Sequence, residues 1–327
     1  MAYETGSATG VNDLIGKIKS FLETNDYTIN DFSADGTGYR LHVQNGDWYV
    51  NMRSGVAEKF IWPYYYYGAD NDPLSGIGIY PSTGFDAEEA WNAQPGYPVD
   101  AGYGVSALVA HGSCVAGLVS TIPAYYFFLD DDGFVACIER NTGEYVWIAF
   151  GQLTLFGNVG GNTLDGFFTS SSQGSRKAED QLPANIFTPL PREARGFLFY
   201  ETDDYDDNWF RMNNSSYYYT CYSVRHPWSL TLAAASDADT GYLGNLMRAM
   251  PGGVGNLSPL LPCYMGVATP TRDTILGHFD MVRLTRITGF TTGQEVEVGG
   301  YTWKVLPAIS LTHADGYAIA VKKVVPE

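Results

Sequence analysis

Two acidic runs, Asp203-Asp204-Tyr205-Asp206-Asp207-Asn208 and Asp70-Asn71-Asp72, are rich enough in oxygen ligands to suggest a calcium loop. The register fails. With Asp204, Asp206 and Asn208 at loop positions one, three and five, Trp209 falls where the chain needs glycine, and Ser215 falls where a bidentate glutamate is needed. A solvated acidic loop is the better reading, and Asp130-Asp131-Asp132-Gly133 has the composition of a turn. Nucleophile chemistry fares no better, because His111-Gly112-Ser113-Cys114 does not fit G-x-S-x-G. The five histidines, His42, His111, His226, His278 and His313, are scattered, and none pairs at i, i+4. There is no P-loop and no dinucleotide fingerprint. A carboxylate pair across a sugar cleft is open to a Tyr- and Trp-rich acidic protein, but the acids fall mostly in loops. No catalytic, cofactor-binding or metal-ligating residue is therefore assigned, and no cofactor or calcium dependence is expected.

The balance of the chain narrows its partners. A formal net charge of -17 disfavours nucleic acid, whose phosphates an acidic surface repels, and also an anionic membrane. Cys114, Cys137, Cys221 and Cys263 lie far apart, without a C-x-x-C pair, and read as buried reduced thiols. The opening MAYETGSATG lacks the basic and apolar regions of a signal peptide, and no run approaches a membrane span, so folding in a reducing cytoplasm is expected. With 45% apolar and 17% charged residues in 327, the chain can bury a sizeable core. Its 24 Tyr and 37 Gly favour turn-rich β structure.

The elements follow from periodicity. Leu14, Ile15, Ile18, Phe21 and Leu22 repeat on one face of a helix over residues 12–24, with Asn12 as its cap and Asn25-Asp26 as its end. Residues 1–10 before it read as an arm. A hairpin follows, with Tyr39, Leu41 and Val43 alternating into an Asn45-Gly46 turn and a return at Trp48-Tyr49-Val50. The stretch from Tyr125 to Gly157 is a three-strand meander with turns at Asp130–Gly133 and Asn141–Gly143. Its middle strand, Phe134-Val135-Ala136-Cys137-Ile138, is apolar at nearly every position and predicts cover on both faces. Asp86 to Ala93 reads as a short helix in a loop-rich segment. Later strands are predicted at Gly196 to Tyr200, Trp209 to Met212, Ser216 to Arg225, Ser229 to Leu232, Cys263 to Ala268 and Met281 to Thr288. A hairpin from Glu295 to Leu306 turns at Gly299-Gly300, and Gly316 to Lys323 is the last strand. The fold class is a β-rich α+β protein: antiparallel, sandwich-like sheets with an N-terminal amphipathic helix. Its expected domains are 1–158, a helix plus meander; 159–195, a Gly/Ser/Pro-rich linker or extended arm; and 196–327, a C-terminal β domain.

Several stretches together resemble a family of tailed-bacteriophage virion structural proteins, associated with tail or baseplate. They are Met1 to Ala8 with Asn25-Asp26-Tyr27-Thr28, Tyr80 to Asp86 with Trp91 to Gly96, and the meander through Phe150-Gly151-Gln152-Leu153 and Phe156-Gly157. Pro262 to Val267, Gly289 to Pro307 and Gly316 to Ile319 complete the set. The resemblance implies a virion component, most simply a tail, baseplate or collar protein acting through protein–protein interfaces, and it brings no catalytic residues. The implied partners are other virion proteins and copies of this chain, with host surface glycan as a further one. The runs Tyr64 to Tyr67 and Tyr217 to Tyr219 suit interfaces or sugar stacking. The rival expectations are a receptor-binding tail module, a capsid decoration protein and a glycan depolymerase.

Overall fold

A computed structural model describes residues 1–58, 74–97, 113–118, 121–156, 166–171, 194–199, 209–212, 220–224, 260–268, 273–287, 290–307 and 317–323. The protein is mostly antiparallel β-sheet with one helix near its N-terminus, as the periodicity predicts.

The helix α1 spans Val11–Thr24. Val11, Leu14, Ile15, Ile18, Phe21 and Leu22 are buried along one stripe, the spacing that a 3.6-residue repeat brings to one face. Its start differs from expectation. Gly10 is the cap, and Leu14 N–H donates to its carbonyl at 3.0 Å. Asn12 sits inside the first turn, where its amide reaches sideways: Nδ2 donates to Thr37 O (2.8 Å), and Oδ1 accepts from Ser54 Oγ (2.7 Å). Asp13 serves the open end instead, accepting from Thr9 N–H at 2.8 Å. Asn25 closes the helix as expected, with its N–H on Leu22 O and its side chain on Phe21 O, and Asp26 turns left-handed at φ 69°.

A five-stranded sheet lies against α1, in the order β2 (Thr28–Asp35), β3 (Gly38–Asn45), β4 (Trp48–Glu58), β5 (Leu74–Ser82), β6 (Ser113–Ala116). The β3–β4 hairpin closes Asn45 on Trp48, so the two turn residues are Gly46 and Asp47, one place later than the sequence suggests. Gly46 takes φ 61°, which a side chain disfavours. Leu41, Val43, Val50, Met52, Ile77 and Ile79 face the helix.

Among the described residues the second sheet has fourteen strands. It begins with β1 (Ala2–Ala8), β7 (Ile122–Asp130), β8 (Gly133–Asn141) and β9 (Glu144–Gly151). The expected N-terminal arm is thus a strand: β1 pairs antiparallel with β7, from Ala2 opposite Leu129 to Ala8 opposite Ile122. Short polar residues gave no alternation to read, but Thr5 Oγ1 donates to Tyr125 O and Glu4 accepts from the Tyr125 hydroxyl. From β9 the order runs through β11 (Gly166–Ser171), β12 (Ala194–Phe199), β13 (Trp209–Met212), β14 (Thr220–Val224) and β15 (Leu261–Ala268). It ends with β16 (Asp273–Arg286), β19 (Tyr317–Lys323), β18 (Tyr301–Pro307) and β17 (Gln294–Val298). Only β13 and β14 pair in parallel among the described strands. The short β10 (Thr154–Leu155) joins β16 from the side, where Gly277 lets it approach: a Cβ there would stand 2.2 Å from Thr154 O.

Two consequences bear on the expected domains. Strand β11 falls within 159–195 and pairs with both β9 and β12; the rest of that segment, apart from the start of β12, lies outside the described residues. The same sheet draws strands from 1–158 and from 196–327.

The meander is covered on both faces. Phe127, Phe134, Ile138, Ile148 and Phe150 join the helix and the five-stranded sheet in one core, with Phe21 5.5 Å from Phe127 and 6.0 Å from Phe134, ring to ring. The alternate residues Phe128, Val135, Cys137, Trp147 and Ala149 are buried too. The C-terminal strands reach the second face, with the Lys304 ammonium over the rings of Tyr3 (5.4 Å) and Tyr126 (5.8 Å).

Candidate functional site

The sequence offered Asp203–Asn208, Asp70–Asp72, His111, His226 and His313 for inspection, and all lie outside the described residues, as do both tyrosine runs and the predicted strand from Ser229 to Leu232. Ser113 and Cys114 belong to β6. Among the described residues, no group of three or more His, Cys, Asp or Glu is arranged to hold a metal ion. Two of the buried polar assemblies among the described residues bring together groups that could do chemistry, neither of them legible in the sequence.

The first joins the meander to the C-terminal strands. Asp130, at the end of β7, accepts the Asp132 N–H on Oδ1 at 2.9 Å, the turn that the composition predicts. Its other oxygen faces inward, 3.5 Å from Lys322 Nζ of β19. Lys322 also reaches Asp280 of β16 at 3.3 Å, and Asp280 accepts from Arg283 Nη2 at 2.6 Å. Arg283 in turn lies over the Trp303 ring and donates to the Asp280 carbonyl. His278 Nε2 approaches Asp280 at 3.4 Å, and its ring stacks with Phe156.

Burial pushes the Asp130 carboxyl above the usual range, more than its N–H bond and Lys322 can offset. Asp132 is raised likewise by burial, then by the charge of Asp280. Asp280 is also pressed upward by burial, but Arg283 and Lys322 outweigh that and hold it below the usual range. For Lys322 burial favours the neutral amine; the charges of Asp130 and Asp280 overcome it, and its pKa rises. The two partners thus rank differently. Asp280, closer and lowered, is the firm counter-ion, while Asp130 is the strained one. A lysine held this firmly as a cation is a poor nucleophile, and Asp130 is only 5% exposed, with both oxygens occupied. The assembly locks strands together.

The second assembly lies on the face of β3–β4–β5 turned away from the helix. Asn51 Nδ2 donates to Ser82 Oγ at 2.9 Å, so Asn51 Oδ1 faces His42 Nδ1 at 2.8 Å and takes its proton. Ser82 Oγ donates to Gly84 O. Serine, histidine and asparagine are thus together in the wrong order: the serine touches the amide and never the imidazole, so no base can activate it.

A segment from Thr83 to Tyr97 straps this face. The helix expected at Asp86 to Ala93 is a series of turns instead, because Gln94 claims the backbone. Fully buried Gln94 accepts from Asp86 N–H and donates to the carbonyls of Asp86, Glu89 and Ala90. Trp91 packs edge-on to Tyr80 and directly over Gly78, where a Cβ would stand 2.6 Å from the indole. Phe85 lies 5.1 Å from the His42 ring.

Cys137 and Cys263 are free and buried, as composition suggests. Burial lifts the Cys263 thiol to about 12 and Cys137 well above its usual value, so neither supplies a thiolate.

No family model and no curated protein matches this chain. No helix among the described residues is long and apolar enough to cross a membrane.

Proposed function

We propose that this chain is a structural component of a tailed-phage virion, a tail, baseplate or collar protein that works through its surfaces in contact with other virion proteins and with copies of itself. The observation that carries the reading is the open end of the long sheet. Strand β17 has no described strand beyond it, and its hairpin with β18 ends in Val298 and Tyr301, which are 48% and 47% exposed. An unpaired row of backbone donors and acceptors with apolar side chains at its tip suits pairing with another chain. Strands β1 and β2 end their sheets in the same way among the described residues. Acidic residues on β17 oppose uncontrolled pairing: Glu295 is tied to Lys304 and Lys323, and Glu297 to Thr302. Among the described residues the buried polar assemblies hold the fold together, which points to the surface, and the resemblance of Tyr80 to Asp86 with Trp91 to Gly96, taken with the other matching stretches, supports the same reading.

The test is hydrogen exchange of the free protein against intact particles. The reading expects the amides of β1 or β17 to be slowed on assembly; equal exchange at every edge overturns it. Binding to host polysaccharide on a glycan array, or release of reducing sugar from it, would replace it with the receptor-binding or depolymerase role.

A further inference from the structure

We propose that His42 is an acid-sensitive pin that holds the Thr83–Tyr97 strap on the five-stranded sheet and releases it when protonated. The ring is 1% exposed and its Nε2 is buried without a hydrogen-bond partner. Because Asn51 commits its oxygen to His42 Nδ1, the neutral ring carries its proton there and keeps a bare Nε2. A second proton must enter at Nε2, where it would be an unpaired buried charge beneath Phe85.

The surrounding charges do not rescue it. Asp31 of β2 is the cross-strand neighbour of His42, but its carboxylate is bound by Arg40 Nε at 2.6 Å and by Ser33 Oγ at 2.9 Å. Asp35 of β2 is held by Arg53 of β4, which Glu58 also pairs. Arg40, on the same strand as His42, repels a second cation. From β5, Ser82 and Tyr80 are uncharged, and in the strap Asp86 turns its oxygen to the Glu88 N–H. Attraction of an imidazolium to the Phe85 ring is weaker than the penalty of an unpaired buried charge. The ring must therefore swing to water, leaving Asn51 and removing the floor under Phe85. Trp91 remains as the second anchor, so the strap lifts from the Phe85 end.

Burial holds His42 below its ordinary 6.5, which sets the sign. The closed strap binds fewer protons than the open one. Closure is complete above the open-state value and weakens as pH falls below it.

Hydrogen exchange of the whole chain, corrected for intrinsic rates and referenced to β7–β9 amides, measures this directly. Protection of residues 83–97 should fall about tenfold for each pH unit below the open-state value in the natural protein, and stay flat in His42→Gln, which keeps an N–H for Asn51. Unchanged protection of the natural protein in acid, or an equal loss in the variant, overturns the proposal. Should the variant not fold, imidazole NMR of the natural protein decides: a His42 midpoint at or above 6.5, or titration with no movement of strap resonances, overturns it equally.

Discussion

Lys322 Nζ stands 3.5 Å from Asp130 Oδ2 across 192 residues of chain, and both side chains are almost fully buried. The last strand of the protein is thereby keyed to the turn of its central meander. Buried charges contribute little net stability, since desolvation cancels most of their attraction, but a missing partner is costly. The pair therefore specifies where β19 sits more than it holds it there.

Lys322→Met should destabilise the protein by about 3–5 kcal/mol in urea denaturation at neutral pH, because Asp130 and Asp280 would lose the cation that offsets their burial. Adding Asp130→Asn should recover roughly half of the loss, since the two sites share one interaction. Independent, additive effects would show that the contact is not formed.

The pH dependence of Asp280 has the opposite sense to that of Asp130. Asp280 is held below its ordinary 3.8, so its contribution is present above that value and is lost as pH falls through the lower, folded one. Asp280→Asn should flatten the acid limb of the stability curve below about pH 4. An unchanged limb would remove Asp280 from the network.

Ile18 is fully buried in the core that α1 shares with both sheets, while Lys19 pairs with Glu23 at the surface. Ile18→Asp should cost about 3–5 kcal/mol. Lys19→Asp should cost under about 1 kcal/mol, the scale of one exposed pair. Equal melting temperatures would contradict the docking of α1.

Gly78→Val places methyl groups where the Trp91 indole lies. We expect a loss of about 1–3 kcal/mol and faster exchange in the strap, the usual effect of overpacking. A neutral outcome would show that Trp91 does not rest there.

Cys137 and Cys263 should resist aromatic disulfide reagents in the native protein and react after denaturation. Native labelling of either would contradict its burial.

The fold was legible wherever burial wrote a period into the chain. Ile15 and Ile18 mark the helix, and Phe134 to Ile138 mark a strand covered on both faces. The hairpin at Gly299-Gly300 was legible from its turn residues. Strand β1 was not, because its small polar residues gain order from Tyr125 rather than from their own pattern. Asp86 to Ala93 misled for a similar reason: helical composition lost to one buried glutamine. The polar assemblies were illegible in principle. Asp130 reads locally as a turn residue, and nothing near Lys322 points to a partner so distant in sequence.

The proposed role makes this chain part of a particle. Quantitative mass spectrometry of purified tailed-phage particles encoded together with this chain is the decisive measurement. A virion component should be present at a fixed copy number relative to the other virion proteins and should survive high-salt washing and density-gradient purification. Its absence from particles, with the protein free in the same lysate, would rule out the virion role.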